Sequence, residues 1–284
     1  MATLLTLRRR IKTAKNVSKT TKAMQMIAAS KLKKAQDAAV SSKPYVEKLD
    51  ELSKTISQKI DKDNVSKYML KTQKTNAKLY IVISPDKGLC GSLVTNLVRE
   101  VLRLDDKGKQ YFITVGKKIE NYAASLNKEI VATFPFGTTL PSFDIVYPIV
   151  NLVDDYFLND KVSEVVIITT KFTTVFTQSP YVSTLLPLLL NEDNKNNEST
   201  MIFEPSTDEL LPDLLVHYIE MSLYQSILES YASEQASRMI AMKNATDSAI
   251  DIIESLRLTY NKVRQERITN ELLDIGGGMV ANYG

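Results

Sequence analysis

The feature that most constrains this chain is a stretch from Asp213 to Ile275 that contains neither glycine nor proline. Apolar residues recur along it at helical spacing, which predicts one continuous helix. A helix of roughly 60 residues is about 95 Å long, whereas a compact globule of this chain length is about 50 Å across. We therefore expect the helix to protrude and to need a partner along its apolar stripe. The stripe consists of Leu228, Ala232, Met239, Met242, Ala249, Ile253, Leu256, Tyr260 and Val263.

The N-terminal segment, residues 3–58, predicts a second long helix. Heptads counted from Leu4 place small and apolar residues at the seam, which is typical of a coiled coil. Pro44 is expected to kink this helix or to end its regular part. Because the central region returns the chain to its origin, we predict that the two terminal helices pair antiparallel. The seam positions are Leu7, Ile11, Ala14, Ala28, Leu32, Ala35, Ala39, Val46, Leu49, Ile56 and Ile60, with Ser18, Thr21, Gln25, Ser42 and Ser53 as polar exceptions.

Charge on the first helix is one-sided. Between Met1 and Gln36 there are ten lysines and arginines and no acidic residue, although the net charge of the whole chain is only +3. An ordinary solvated face usually carries both signs. The cationic run therefore indicates a nucleic-acid backbone, an anionic membrane surface or an acidic protein partner.

Between the two helices, predicted strands and helices alternate in the βαβ pattern of a Rossmann-like α/β domain. We predict strands over 79–84, 111–115, 130–134 and 162–169, and helices over 92–104, 117–126 and 142–158, the last interrupted by Pro148. A later pair of strands is predicted over 171–178 and 182–188, separated by Ser179-Pro180, and a last strand near 201–204.

The fold class predicted from these segments is α/β, with a long antiparallel coiled coil added to the central domain. We expect an N-terminal coiled-coil helix over 1–60, a polar connector over 61–77, the central α/β domain over 78–205, and a C-terminal coiled-coil helix with its tail over 206–284. The run Gly276-Gly277-Gly278 is expected to end the last helix.

The glycines between Ser84 and Ser92 are expected to permit a tight strand-to-helix turn. A ligand site there is the alternative, because α/β folds often bind ligands at the carboxyl ends of their strands. This turn lacks the glycine spacing of a phosphate loop or a dinucleotide fingerprint. Cys90, the one cysteine, is expected to be a small buried residue rather than a nucleophile. The one histidine, His217, argues against a histidine-based triad or zinc site. We predict no catalytic residue, no cofactor and no metal, and no apolar run is long enough for a membrane span.

Three motifs resemble the gamma subunit of rotary F-type ATP synthases. They are Arg10-Ile11 followed by Lys19–Leu32 (KTTKAMQMIAASKL), Asp86–Ser92 (DKGLCGS), and the helix from Glu234 to Thr269. The likeness spans the whole chain in the same order. It implies a non-catalytic central rotor, present once per complex, whose coiled coil enters a ring of three alpha and three beta subunits. Its α/β domain would stand on the membrane ring of c subunits beside epsilon.

The resemblance also implies which residues meet partners. Lys22, Met24 and Lys31 would face the acidic loops of the beta subunits. Arg264, Gln265, Thr269 and Glu271 would meet the catch loops higher up, and Arg238 would support that region. The complex would lie on the cytoplasmic face of a bacterial plasma membrane, or else on the matrix face of the mitochondrial inner membrane. The alternatives are a basic coiled coil that binds nucleic acid through Arg8–Lys34 and a small-molecule enzyme built on the turn at Asp86–Gly91.

Overall fold

The computed structural model describes residues 3–57, 66–70, 74–104, 108–188, 204 and 206–281. The chain forms two compact units, Met1–Ile27 with Met239–Gly284, and Ala28–Arg238. We call them the terminal unit and the central unit. Two long helices, α1 over Leu4–Ser57 and α5 over Thr207–Ala281, contribute to both. The domain boundaries expected from the sequence remain predictions.

The heptad seam predicted on α1 is confirmed. Every predicted seam position in the described part of this helix is buried or half-buried, including the five polar exceptions. Ala35 is 0% exposed and Ile56 is 1% exposed, whereas Val40, which lies between seam positions, is 70% exposed. Small seam residues let a neighbouring helix approach closely, so the stripe packs despite its low apolar content. Ile60 lies outside the described residues.

The two long helices run antiparallel, as predicted. In the terminal unit, Thr21 hydrogen-bonds Thr246 at 2.7 Å and the Arg8 Nε donates to the Tyr260 hydroxyl at 2.8 Å. From Arg8 to Thr21 the residue numbers on α1 rise, while those of the partners on α5 fall, so the two helices run in opposite directions. The same holds within the central unit, where the Ser42 hydroxyl donates to the Gln225 side chain, and Tyr45 bonds His217 at 2.8 Å.

Prolines interrupt the helices less than the sequence suggests. Pro44 lies inside α1 and does not end it, because the buried seam continues beyond it to Leu49 and Ile56. A proline costs a helix about 3 kcal/mol, which packing along several turns offsets. Pro148 is the third residue of helix α4, Val146–Leu158, so the predicted interruption is wrong. Backbone N–H groups in a first turn have no partner within the helix, and a proline there removes no hydrogen bond.

The expectation that Gly276-Gly277-Gly278 ends the last helix is also wrong, because the backbone of α5 remains helical to Ala281. Glycine is permissive rather than forbidden in the right-handed helical region. Each glycine costs about 1 kcal/mol relative to alanine, which weakens a helix without stopping it.

The central sheet has five strands, β1 Lys78–Ile83, β2 Gln110–Val115, β3 Glu129–Phe134, β4 Glu164–Phe172 and β5 Gln178–Leu186, and helices α2 Leu93–Leu102 and α3 Lys117–Ser125 follow β1 and β2. The strand order is β3-β2-β1-β4-β5, and the first four are parallel. Its strands β1, β2 and β3 follow the predicted segments within one residue at each end, and α2 and α3 within two. This confirms the α/β fold.

The last two strands differ from the prediction. Strand β4 runs over Glu164–Phe172 and pairs antiparallel with β5, Gln178–Leu186, so residues 173–177 form the hairpin loop rather than a strand. Pro180 lies inside β5, not between strands. β5 is the last strand in the described sheet order, so one of its edges pairs with no other strand of that sheet. A proline, which has no backbone N–H to donate, is tolerated on such an edge. The strand predicted near 201–204 lies outside the described residues apart from Glu204.

The sheet buries almost continuous apolar runs. Five of the six residues of β1 are buried, and Tyr80 stacks on Phe112 of β2 at a ring-centroid distance of 5.3 Å. Leu97 of α2 and Ile119 of α3 complete this core. In the described ranges, no helix is both long enough and apolar enough to cross a bilayer.

Candidate functional site

The turn from Ser84 to Ser92 follows β1 and is tied to the end of β2. Ser84 is fully buried; its backbone N–H donates to the Val115 carbonyl at 2.8 Å, and its hydroxyl accepts from the Ile119 N–H at 3.0 Å. Gly116 passes so close that a Cβ there would lie 2.0 Å from the Ser84 carbonyl oxygen. Only glycine permits this approach, so the start of α3 is fixed against the turn.

Asp86 ties its own turn to the start of α3 and to the loop that follows β3. Its carboxylate accepts backbone N–H groups from Lys117 at 2.9 Å, Gly137 at 2.8 Å and Phe136 at 3.4 Å. The first of these lies in the first turn of α3, where N–H groups lack helical partners and the helix dipole favours a negative charge. Asp86 is therefore a structural anion rather than a free catalytic carboxylate.

The tip of the turn exposes an apolar side chain from an unfavourable backbone conformation. Leu89 has φ +61 and is 62% exposed. The left-handed region costs a non-glycine residue about 1 kcal/mol or more. Such a conformation persists only when neighbouring contacts impose it. Gly91, at φ +58, makes the reversal into α2 without that cost.

Helix α5 supplies those neighbouring contacts. The Ser237 hydroxyl donates to the Cys90 carbonyl at 2.6 Å. The Arg238 guanidinium donates to the carbonyls of Lys87 at 3.3 Å and Gly88 at 3.4 Å, and to the Glu234 carboxylate at 2.6 Å. We call Glu234, Ser237 and Arg238 the clasp. All three lie within one turn of α5, at i, i+3 and i+4, so they share one face of the helix.

The clasp is an unusually buried charged group. The side chains of Glu234 and Arg238 are 5% and 16% exposed. Burial raises the pKa of Glu234, and the neighbouring Arg238 opposes that rise. One Glu234 oxygen, Oε2, has no hydrogen-bond partner. Burial likewise raises the pKa of the Cys90 thiol, which keeps it protonated and unreactive, as expected for a small buried residue.

The crevice in which an open α/β sheet would bind a ligand is occupied by α5. The strand order reverses between β1 and β4, and ligands usually bind beyond the carboxyl ends at that point. Here the Ser233 hydroxyl donates to the Thr170 carbonyl at 3.1 Å, and the clasp covers the turn after β1. These hydrogen bonds attach helix α5 to the central sheet. Within the described ranges, no group of three or more His, Cys, Asp or Glu residues is placed to hold a metal ion.

Most of the predicted partner-contact residues lie in the terminal unit and face outward. Lys22 is exposed, with its ammonium 3.3 Å from the Gln25 side-chain oxygen, and Met24 is 38% exposed. The register set by Arg8 and Tyr260 brings the start of α1 level with about residue 264 of α5, so the last turns of α5 extend beyond α1. Accordingly, every described side chain from 264 to 273 is exposed, including those of Arg264, Gln265, Thr269 and Glu271.

The other two predicted contacts, Lys31 and Arg238, lie in the central unit and bond to their own chain. The Lys31 ammonium, on a half-buried side chain, donates to the Thr138 carbonyl at 2.5 Å. Arg238 belongs to the clasp. Sequence reasoning missed Glu234 and Ser237 as its companions. The available signal was the i, i+4 pairing of an acid with an arginine inside an otherwise apolar stripe.

Known proteins match this chain over almost its whole length. A family model described as ATP synthase matches residues 3–281. The chain is 38% identical over 283 residues to an ATP synthase gamma chain of Dehalococcoides mccartyi, covering 99% of both chains. It is 40% identical over 291 residues to the gamma chain of Glaesserella parasuis, covering 99% of this chain and all of that one.

Solved structures are similar as well. A chain in the cryo-EM structure of the central stalk and c-ring of Tetrahymena thermophila mitochondrial ATP synthase is 25% identical, with a TM-score of 0.60 over 80% of this chain and 99% of that one. A chain in the structure of the OSCP, F1 and c-ring of the Euglena gracilis enzyme has a TM-score of 0.70, at 20% identity over 98% and 94% of the two chains. The second likeness shows the fold alone.

Proposed function

This chain belongs to the ATP synthase gamma chain family, and from that membership we propose how its own residues transmit torque. It is the non-catalytic central-stalk subunit of an ATP synthase. As the rotor, it couples the membrane ring of c subunits to the catalytic alpha and beta subunits during ATP synthesis or hydrolysis. The full-length match to gamma chains carries this conclusion.

We place the partner contacts on the two helices of the terminal unit. Lys22 and Met24, together with the cationic run of α1, meet acidic loops of the beta subunits. A flexible lysine attracts a carboxylate without a fixed geometry, which suits a surface that must pass several copies of one loop in turn. Arg264, Gln265, Thr269 and Glu271 contact the catch loops, and exposed apolar residues such as Leu272 (64%) pack beside them. Lys31 and Arg238, which lie in the central unit, support these contacts through hydrogen bonds within their own chain.

The remaining partners and the location follow from the family. The central unit contacts the c-ring and the epsilon subunit, with one copy of this chain per complex, so the chain meets the membrane only through the c-ring. It is a peripheral subunit of a membrane-bound complex. We assign it to the cytoplasmic face of a bacterial plasma membrane, because the gamma chains matched at 35–40% identity are bacterial. The relatives lend no support to the nucleic-acid alternative.

Reconstitution with purified alpha and beta subunits tests the function. The isolated chain is expected to hydrolyse no ATP. When added to alpha and beta subunits, it should form one stable complex with three copies of each and confer ion-driven ATP synthesis once the membrane sector is present. Strong hydrolysis by the pure chain, or failure to enter the complex, would contradict the assignment.

Charge reversal at Lys22 tests the proposed contact with acidic loops. Lys22→Glu is expected to slow association with the alpha and beta subunits about tenfold at low salt, because it replaces an attraction with a repulsion. The difference should largely vanish near 1 M salt, where charges are screened beyond about 3 Å. Rates are measured by rapid mixing of labelled subunits at several salt concentrations. Lys43→Glu, on an exposed side chain of the same helix, is the control, and equal slowing by both variants would contradict the contact.

A further inference from the structure

A rotor made of a sheet and a long helix needs a joint between them that does not slip. In the central unit, several hydrogen bonds link α5 to the carboxyl ends of the strands, and most come from single hydroxyl groups. Ser233 bonds the Thr170 carbonyl, and the Tyr231 hydroxyl donates to the Thr138 carbonyl at 3.2 Å. Each such bond is neutral and fixes one point on the helix.

The clasp differs from these bonds in charge and number. Arg238 and Ser237 together donate to three main-chain carbonyl groups within four residues of the turn, those of Lys87, Gly88 and Cys90. Glu234, one helical turn earlier, orients the guanidinium through a 2.6 Å bond. One guanidinium nitrogen, Nη2, lies 2.6 Å from the Glu234 carboxylate and shares its second hydrogen between the carbonyls of Lys87 and Gly88, so both carbonyls face a positive charge.

The geometry of the clasp opposes rotation of α5 about its own axis. Its three residues project from one face of the helix onto a turn that is itself fixed to the rest of the sheet through Ser84 and Asp86. Twisting the helix against the sheet must break the bonds from Ser237 and Arg238 together. At Leu89 the backbone of the turn has a positive φ, which a leucine adopts only when neighbouring contacts impose it.

We propose that Glu234, Ser237 and Arg238 are the joint through which torque passes between the α/β domain and helix α5. The hydrogen bonds of the clasp form within the folded chain and need no partner subunit. Its role in torque rests on the proposed function. Glu234 and Arg238 are positioning residues within the rotor, and neither takes part in catalysis.

The first test uses Cys90 as a built-in probe in the purified full-length chain, since this is its only cysteine. Cys90 is 2% exposed and its carbonyl accepts the Ser237 hydroxyl, so we expect a maleimide to reach its thiol only when the turn opens. Arg238→Ala and Ser237→Ala are each expected to raise the rate of labelling, Arg238→Ala by about tenfold because it removes charge-assisted bonds. Glu234→Gln, which keeps the shape and removes the charge, should give an intermediate rate.

Arg103→Ala is the matched control for the first test. Arg103 forms a 2.8 Å ion pair with Glu100 at the C-terminal end of α2, the end of the helix away from the turn. Labelling of Cys90 should keep its wild-type rate in this variant. If Arg238→Ala loses helical circular dichroism, Ser237→Ala decides, because it removes a single hydroxyl. Unchanged labelling in a folded Ser237→Ala chain would overturn the clasp.

The second test measures coupling in the reconstituted membrane complex. The ratio of ions pumped to ATP hydrolysed is expected to fall at least twofold in Arg238→Ala, while Arg103→Ala keeps the wild-type ratio. The ratio is measured on complexes purified through the membrane sector, so that every particle that hydrolyses ATP also carries its c-ring. Poor folding then lowers the yield of complexes and not the ratio, which separates the joint from general damage. A wild-type ratio in a variant whose Cys90 labels rapidly would overturn the role in torque. Failure of the wild-type chain to assemble would instead count against the proposed function.

Discussion

Replacing Gly116 with alanine is expected to lower the free energy of unfolding by about 3 to 5 kcal/mol. The added Cβ would lie 2.0 Å from the carbonyl oxygen and 2.8 Å from the carbonyl carbon of Ser84, and both are backbone atoms that no side-chain rotation can move away. The residue also has φ +103, which a residue with a Cβ adopts only under strain. Denaturant unfolding followed by circular dichroism gives the loss directly.

Gly137→Ala separates the two causes. Gly137 also has a positive φ, +82, but a Cβ there meets no atom within 4 Å. Its substitution should therefore cost only the backbone strain, about 1 to 2 kcal/mol. An equal loss in the two variants would show that the close approach of β2 to the turn is not what selects glycine at position 116.

Asp86→Ala is expected to cost about 2 to 4 kcal/mol. The substitution removes the common acceptor of three backbone N–H groups, those of Lys117, Phe136 and Gly137, and the Phe136 side chain is buried. The bonds from Phe136 and Gly137 are partly buried, so without the carboxylate their N–H groups lose an acceptor that water replaces only in part, whereas water reaches the exposed Lys117 N–H. The same unfolding measurement applies, and hydrogen exchange at the start of α3 should accelerate because its capping anion is gone.

Two further substitutions show how much of the loss of stability in Asp86→Ala is due to the carboxylate. Asp86→Asn keeps one carbonyl acceptor but loses the charge and the second oxygen, so it should cost about half as much as the alanine variant. Asp144→Ala removes an exposed carboxylate elsewhere in the domain and should change stability by less than about 0.5 kcal/mol. The role of the carboxylate would be refuted if Asp86→Ala were as mild as Asp144→Ala.

Where the sequence prediction of elements failed, prolines and glycines were responsible. Pro44 was expected to kink or end α1, Pro148 to interrupt a helix and Pro180 to separate two strands, yet each lies inside an element. The reason is that a proline is harmful only where its N–H would have been used or its ring would clash, and both depend on position. Pro148 lies in a first turn and Pro180 on the last strand of the described sheet, and neither position can be recognised before the elements are located.

The candidate site was predictable only in part. The turn at Asp86–Gly91 was found because its glycines follow a buried strand, and Cys90 was correctly expected to be buried. The companions of Arg238 were missed because its partners are main-chain carbonyl groups about 150 residues away in sequence. A carbonyl group is present at every residue and leaves no signature in the amino-acid types.

The sequence by itself determined the periodic elements of this protein. Two long helices with a heptad seam, a parallel sheet of buried strands and an acid-free N-terminus follow from which residues recur at which spacing, since spacing fixes the face on which each side chain lies. The tertiary structure decided how the pieces join. Helix α5 covers the carboxyl ends of the strands, Arg238 binds inward, and Gly116 meets Ser84. Such contacts join residues far apart in the chain, and no local pattern specifies which distant backbone group a side chain will reach.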